Sequence, residues 1–471
     1  MLLDHLVQVL RQRWCGVFPQ ERTFLRAAAL LVGLLTAYGR RTVSRALCAE
    51  GRAQVDWAAD YRAFSRSPWK ASELFLGVLA TALPHLPETG FITALMDDTS
   101  LRKRSRVIKA ARWLRDALSP PFHVNLKYGL RCLHVALALP LYEHGHGARA
   151  ISIDFELAPS AKKPGRKATA AEVAAYHSVK DEMSLPMKGV QALTRLRAGL
   201  DSLGASGRQL LAVVDGGYTN QRVLRNLPDR VDLLGRTRKD IVLFTPAQPG
   251  GRRIYGDRLP TPDEIRVDPS RPYQSVTCHY GGDWRTVRYK ELSDVLWPRG
   301  CRRRLLRLLV IAPTPYQGPG RAGRILYRDP AFLITTDLTS PAQALIQAYL
   351  DRWQIEVLHR DLKSGLGLGQ AQVWSDESVS RLHSAVVATF AMLTLAALET
   401  YGPGRAAEFP PLPLWRRRKP QLRPSQVDLI TLLRNDLATH DALRPRPAPR
   451  PDTIPSPPGW NLSPRETYAS T

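Results

Sequence analysis

Residues 340–369, SPAQALIQAYLDRWQIEVLHRDLKSGLGLG, constrain the fold of this chain more than any other stretch. A proline near the start and glycines at the close bracket a helix expected over residues 342–364. On an α-helical net Tyr349, Arg352, Glu356 and Lys363 share one stripe about 60° wide, beside an apolar stripe of Ile355, Leu358 and Leu362. Such a helix has to lay its apolar stripe on a core built by other segments. Its four polar side chains are then left at a rim or cleft. One carboxylate among an arginine, a lysine and a phenol suits a divalent ion held beside phosphate oxygens, because glutamate is a hard oxygen ligand and the cations grip phosphodiesters. The same face also reads as a solvated helix surface with an ordinary Arg352–Glu356 pair four residues apart.

The partner chemistry follows from charge. Lys and Arg number 67 against 42 Asp and Glu, a net charge of +25 that favours a polyanion, nucleic acid first, through phosphate contacts and counterion release. Two upstream segments can supply further carboxylates. In FITALMDDTS an apolar run over residues 91–96 reads as a buried strand ending at Asp97 and Asp98. In LLAVVDGGYTN a second such run, residues 210–214, delivers Asp215 into a glycine turn followed by Tyr218. A carboxylate at the end of a buried strand sits at a sheet edge, where ligands bind. Taken singly, these segments also read as a capped turn and a hairpin turn.

The spacing Tyr349-x2-Arg352-x3-Glu356-x6-Lys363 resembles, without a gap, the YREK signature of the DDE transposases of bacterial insertion sequences, in the branch that includes families 4 and 701. The resemblance runs over residues 97–369. It implies an α/β fold with a ribonuclease-H-like catalytic core, a β-rich insertion and a preceding all-α N-terminal domain. It makes Asp97, Asp215 and Glu356 the catalytic and metal-binding carboxylates, with Asp98 as the alternative to Asp97, since Asp-x-Thr maps onto Asp97 and Thr99. Tyr349, Arg352 and Lys363 are implied to bind DNA. The implied cofactor is Mg²⁺, with Mn²⁺ able to substitute, as two ions about 4 Å apart. Implied partners are double-stranded DNA, namely the terminal inverted repeats and the target, and a second copy of the chain in a synaptic homodimer. The implied reaction is strand cleavage at the element's ends, then strand transfer. A domesticated DNA-binding protein, or a nuclease on the same fold without strand transfer, are the alternatives.

Read in order, residues 1–88 are helical and form the expected DNA-binding domain, with Arg40, Arg41, Thr42 and Ser44 ahead of one helix and Arg62 and Arg66 further on. Residues 89–239 begin the catalytic core. They include a basic run with six Lys and Arg between residues 101 and 112, expected strands at 123–126 and 131–139, and a polar loop plus helix over 158–186. His134 is expected in the core, and His144 and His146 in a glycine loop. Residues 240–324 hold short alternating runs read as the β-rich insertion, with Trp284 and Trp297 as candidates to stack on an unpaired base. Residues 325–401 complete the core, starting with the strand AFLITT. Residues 402–471 are rich in proline and arginine and read as an irregular basic extension around one helical stretch, QVDLITLLRND; Asn461 heads a glycosylation triplet with no expected use.

Five cysteines stand singly with no Cys-x-x-Cys pair, against a zinc ribbon or a disulfide framework. A reducing, cytoplasmic setting is expected, and no membrane association: the apolar run at 384–398 is short for a membrane span and reads as a buried helix.

Overall fold

The computed structural model describes residues 1–54, 56–116, 119–120, 122–248, 250, 252–317, 325–416 and 422–439. Helices come first: α1 (Leu2–Trp14), α2 (Glu21–Thr36), α3 (Val43–Ala49), α4 (Ala58–Ser65) and α5 (Ala71–Ala82). Then follow β1 (Ile92–Arg102), β2 (Arg112–Arg115), β3 (Leu126–Leu139), β4 (Arg149–Leu157), α6 (Ala170–Lys180), α7 (Leu185–Ser202), β5 (Leu210–Val214), α8 (Gln221–Leu224) and β6 (Val231–Arg236). The next stretch contains β7 (Phe244–Pro246), β8 (Tyr255–Arg258), α9 (Pro262–Val267), β9 (Gln274–Tyr280), β10 (Asp283–Leu296), β11 (Leu305–Ile311), β12 (Pro315–Gln317), β13 (Ile325–Tyr327) and β14 (Ala331–Thr335). Last are α10 (Ala342–Asp351), α11 (Trp353–Arg360), α12 (Asp376–Tyr401) and α13 (Gln426–Thr439).

The fold is mixed α/β around one twelve-stranded mixed sheet. At its centre β1 pairs antiparallel with β3 and parallel with β5, and β5 pairs parallel with β6. Every residue of β5, LLAVV, is buried, which is what a strand covered on both faces requires of its sequence. The outer edge of β3 is shared by β2 and β4. On the other side β6 pairs antiparallel with β14, β14 with β11 and β11 with β10, so the short runs of residues 240–324 extend the central sheet.

Helices cover both faces, and pairing register tells which. Asp97 lies opposite His134, whose ring meets that of His359 on α11 at 5.1 Å. Directly opposed residues project to the same side, so α11 covers the face of Asp97, Thr99 and Leu101. Met96 projects to the opposite face, where α7 covers it: a Cβ at Gly189 would stand 3.0 Å from the Met96 thioether. α12 joins the α11 face, its Ser384 hydroxyl donating to the Phe155 carbonyl at 2.6 Å.

Three expectations are corrected. The helix over 342–364 is not continuous: it breaks at Arg352, where the Arg352 amide bonds to the Tyr349 carbonyl and the Ile355 amide to the Arg352 carbonyl, a tightened i to i−3 pattern. It then widens into a π turn at Asp361–Gly365. β1 does not stop at Asp97 but runs on to Arg102 because β3 continues to pair with it; only its parallel neighbour β5 ends, at Met96 opposite Val214. The strand expected at 123–126 is instead the lead into β3. The helical stretch expected at QVDLITLLRND is α13, which buries Leu429, Ile430, Leu432 and Leu433 and docks on α1 and α2. Asp436 accepts from the Leu3 amide at 3.0 Å, and the Arg434 guanidinium donates to the Thr36 and Ala37 carbonyls. The tract beyond Thr439, Asn461 included, lies outside the described residues. The apolar run at 384–398 falls in α12, long and apolar enough to cross a membrane but with 89% of its most apolar window buried inside the protein.

Candidate active site

Two carboxylates leave the sheet side by side. Met96 and Val214 are partners in the parallel pair, so Asp97 and Asp215 are the next residues on adjacent strands, about 5 Å apart at the backbone. β5 ends there because Asp215 and its glycines turn the chain: the Asp215 carboxylate accepts from the Gly217 amide at 2.9 Å, and its carbonyl from the Thr219 hydroxyl at 2.9 Å. The Asp97 carboxylate accepts from the Asp98 amide at 2.8 Å.

Asp98 points the other way. It is opposite Leu133, shares its face with Arg131, and pairs with the Arg131 guanidinium at 3.1 Å. Asp97 instead shares its face with α11. Burial pushes the Asp97 carboxyl up to about 7, and the charges of Asp215 and Asp98 push the same way, against the Asp98 amide and the Arg352 guanidinium. Burial also raises Asp98, with Arg131 opposing. The Tyr218 phenol, 2% exposed, lies among all three aspartates, and its hydroxyl has no hydrogen-bond partner among the described residues.

The helix signature divides. Arg352 donates to Glu356 at 2.8 Å and acts on Asp97, so a single guanidinium connects the glutamate with the first aspartate. The Glu356 side chain keeps 34% of its surface exposed. Lys363, carried inward by the π turn, is held below the ordinary lysine range by burial and by Lys127, while Cys132, Asp97 and Asp98 pull it back. Tyr349 lies near Tyr280 of β9.

Other residues singled out from sequence fall as follows. His134 is fully buried, as expected, and meets the Ser152 hydroxyl at 2.9 Å. Trp284 is 50% exposed and rests on Tyr142 and His279, whereas Trp297 packs over Gly300, where a Cβ would meet its ring at 2.3 Å. Arg41 is buried, its amide bonded to Gln370, and the Thr42 hydroxyl caps α3; Arg40, Arg62 and Arg66 are exposed. In the basic run, Lys103 is buried and donates to the Gly369 carbonyl at 2.7 Å, and Arg106 lies over Trp113 and Tyr128. Sequence reading missed Arg131, whose only signal is its even spacing from Leu133 in β3. It also missed Asp351, the residue before Arg352, which accepts from the Tyr142 hydroxyl and from Gln347 and is pushed up to about 7 by burial. Tyr142 is 209 positions away, so sequence offers no signal for that contact.

Hard oxygens crowded at partly buried positions, mutually repelling and edged by an orphan phenol, fit a divalent cation. The fit is incomplete around Glu356: among the described residues no three Asp, Glu, His or Cys side chains stand close enough to form a ready cage, and the glutamate is engaged by Arg352.

The fold is mixed α/β, with Asp97 within β1 beside Asp215 just past the end of β5, and the helix carrying Glu356 on the face of Asp97. The chain is a member of the DDE superfamily endonucleases, whose family model matches residues 15–304. The match takes in both aspartates and ends before α11, so Glu356 lies outside it. Membership makes this a DDE transposase-like protein with a nuclease or transposase type of activity and DNA as substrate, in a family that typically uses divalent metal ions. Among curated proteins none matches the chain significantly.

Proposed function

We propose that the protein is a transposase of the YREK-bearing branch of insertion-sequence enzymes, families 4 and 701, cutting DNA at the element's terminal inverted repeats and transferring the freed strand to target DNA. The observation that carries this reading is the adjacency of Asp97 and Asp215 on β1 and β5 beneath the helix that holds Arg352 and Glu356. Strand parity supports Asp97 as the first carboxylate, because it is Asp97 that shares the face of α11. A ribonuclease-H-like core is supported by the order β4, β3, β1, β5, β6, antiparallel for the first three and parallel for the last. On this reading residues 1–88 are the DNA-binding domain, 89–239 and 325–401 the catalytic core, 240–324 its β-rich insertion and 402–471 a C-terminal extension that begins by bracing the N-terminal helices.

Asp97, Asp215 and Glu356 would hold Mg²⁺, or Mn²⁺ in its place. When bound, the metal supplies activation of water or a 3′-hydroxyl and neutralises the leaving oxygen. Arg352 hydrogen-bonds Glu356 and offers its guanidinium fork to a phosphodiester. Lys363 sets a second positive charge on the α11 side of Asp97, and Tyr349 meets DNA further along α10. The carboxylates have to be ionised to take up the metal, so the high proton affinity of Asp97 ties metal binding to pH. The enzyme works in the cytoplasm as a homodimer that holds two DNA ends.

The test incubates the purified protein with the labelled DNA that flanks its coding sequence, a target plasmid and Mg²⁺. Joined products are expected from the wild type. Nicks alone would assign a nuclease, and binding alone a domesticated DNA-binding protein. Glu356→Gln keeps the hydrogen bond to Arg352 and should bind ends normally without nicking; a variant that still nicks removes Glu356 from the site.

A further inference from the structure

On the side of α11 away from Glu356 lies a cavity of about 460 Å³, bounded by α11, β4, α12 and the segment leading into α13. That volume is within the range of small-molecule sites. Its charge is unbalanced. Arg149, Arg360, Arg416 and Arg423 line it against Asp361 and Asp428, and Asp428 is already engaged by Arg405 and the Ser425 hydroxyl. Asp361 is thus left to serve Arg360, Arg149 and Arg423 together.

The two inner arginines repel each other. Burial, and after it the Arg423 charge, lower Arg149 to about 10 against the pull of Asp361; burial also lowers Arg423. Their bonding differs. Arg423 is built into the wall, donating to the Ala148 carbonyl at 2.9 Å, to the Gly147 carbonyl and to Gln354 of α11. Arg149 makes one long bond among the described residues, 3.5 Å to the Pro424 carbonyl, which leaves most of its five donors for something else. At the mouth stands Trp415, 82% exposed, an indole face with little protein against it. Like-charged guanidiniums held together inside a cavity are stabilised by an anion, and a bare aromatic face beside them accepts a base.

We infer that this cavity is a second nucleic-acid site, taking one nucleotide of a DNA strand with its phosphate on Arg149 and Arg423 and its base on Trp415. The inference rests on the reading that the chain works on DNA, and it adds a grip behind the signature helix. Because Arg423 bonds Gln354 and Asp361 follows α11 directly, a strand seated there bears on the helix that carries Glu356.

The test uses the full-length protein and a fluorescently labelled six-nucleotide single strand of mixed sequence, read by anisotropy over a salt series. Arg149→Gln and Trp415→Ala are the informative variants, since the first gives up only the long bond to the Pro424 carbonyl and the second removes an exposed ring. Each should weaken binding about tenfold. Arg149→Gln should also lower the slope of log affinity against log salt by about one, which Trp415→Ala should not. Wild-type affinity and salt slope in both variants would overturn the site. Displacement of the strand by inorganic phosphate or deoxycytidine monophosphate at equal concentration would make it a free-phosphate site and overturn the strand assignment. Nicking of end DNA reads the proposed function separately: unchanged strand binding in both variants with nicking retained refutes only this inference, and pocket binding without any nicking refutes only the transposase reading.

Discussion

Replacing Asp97 by asparagine should make the metal-free protein more stable while removing its activity. The carboxyl is raised from 3.8 to about 7, first by burial and then by the charges of Asp215 and Asp98. An acid that binds protons more tightly folded than unfolded loses folding stability as pH climbs between those two values, and the loss is complete above about 7. At about 1.4 kcal/mol per tenfold change in proton affinity, the ceiling is about 4 kcal/mol at pH 8. Partial exposure and the share carried by Asp98 bring the expected gain for Asp97→Asn to about 1–3 kcal/mol at pH 8, vanishing below pH 4. Asparagine is close in shape and keeps an oxygen to accept from the Asp98 amide, so packing changes little. Urea unfolding of both proteins in chelator at pH 8 and pH 4 measures the difference directly. Adding Mg²⁺ at pH 8 should then stabilise the wild type more than the variant. A variant less stable than the wild type at pH 8, or a gain equal at both pH values, would show that like-charge repulsion at this edge is not the governing term.

Other outcomes follow from named contacts. Tyr142→Phe removes the hydroxyl that donates to buried Asp351 and should cost about 1–3 kcal/mol, more at pH 8.5 than at pH 5.5 because the ionised carboxylate loses most; equal losses in urea unfolding at both pH values would contradict it. Gly129→Ala would set a Cβ 2.3 Å from the Leu101 carbonyl oxygen, a backbone atom that cannot swing aside, so a loss of about 1–3 kcal/mol is expected in thermal or urea melts and an unchanged midpoint would refute it. Leu433→Ala should cost about 2–5 kcal/mol, since α13 buries that side chain completely; a neutral result would mean that α13 is not part of the cooperative unit.

Local pattern carried some of this protein to the surface of its sequence. The run LLAVV before Asp215 reads as a buried strand, and all five of its residues are buried in β5. The apolar stripe of Ile355, Leu358 and Leu362 required a helix lying on a core, and all three are buried. These features need only neighbours a few residues away, so composition and period suffice to read them. Helix continuity was not legible: the single helix expected breaks at Arg352 and widens into a π turn at Asp361–Gly365, where Lys363 lies near Asp97 and Asp98. The helical stretch QVDLITLLRND was legible inside the proline-rich C-terminal tract, but its docking was not, because composition is blind to α1 and α2, which α13 covers. Between Asp97 and Asp98 sequence had no means to choose, for both follow the same apolar run. That choice belongs to the pairing of β1 with β3: a pleated strand sends successive side chains to opposite faces, and it is the position of α11 over one face, fixed by contacts with residues far away in the chain, that gives Asp97 to Arg352 and Asp98 to Arg131.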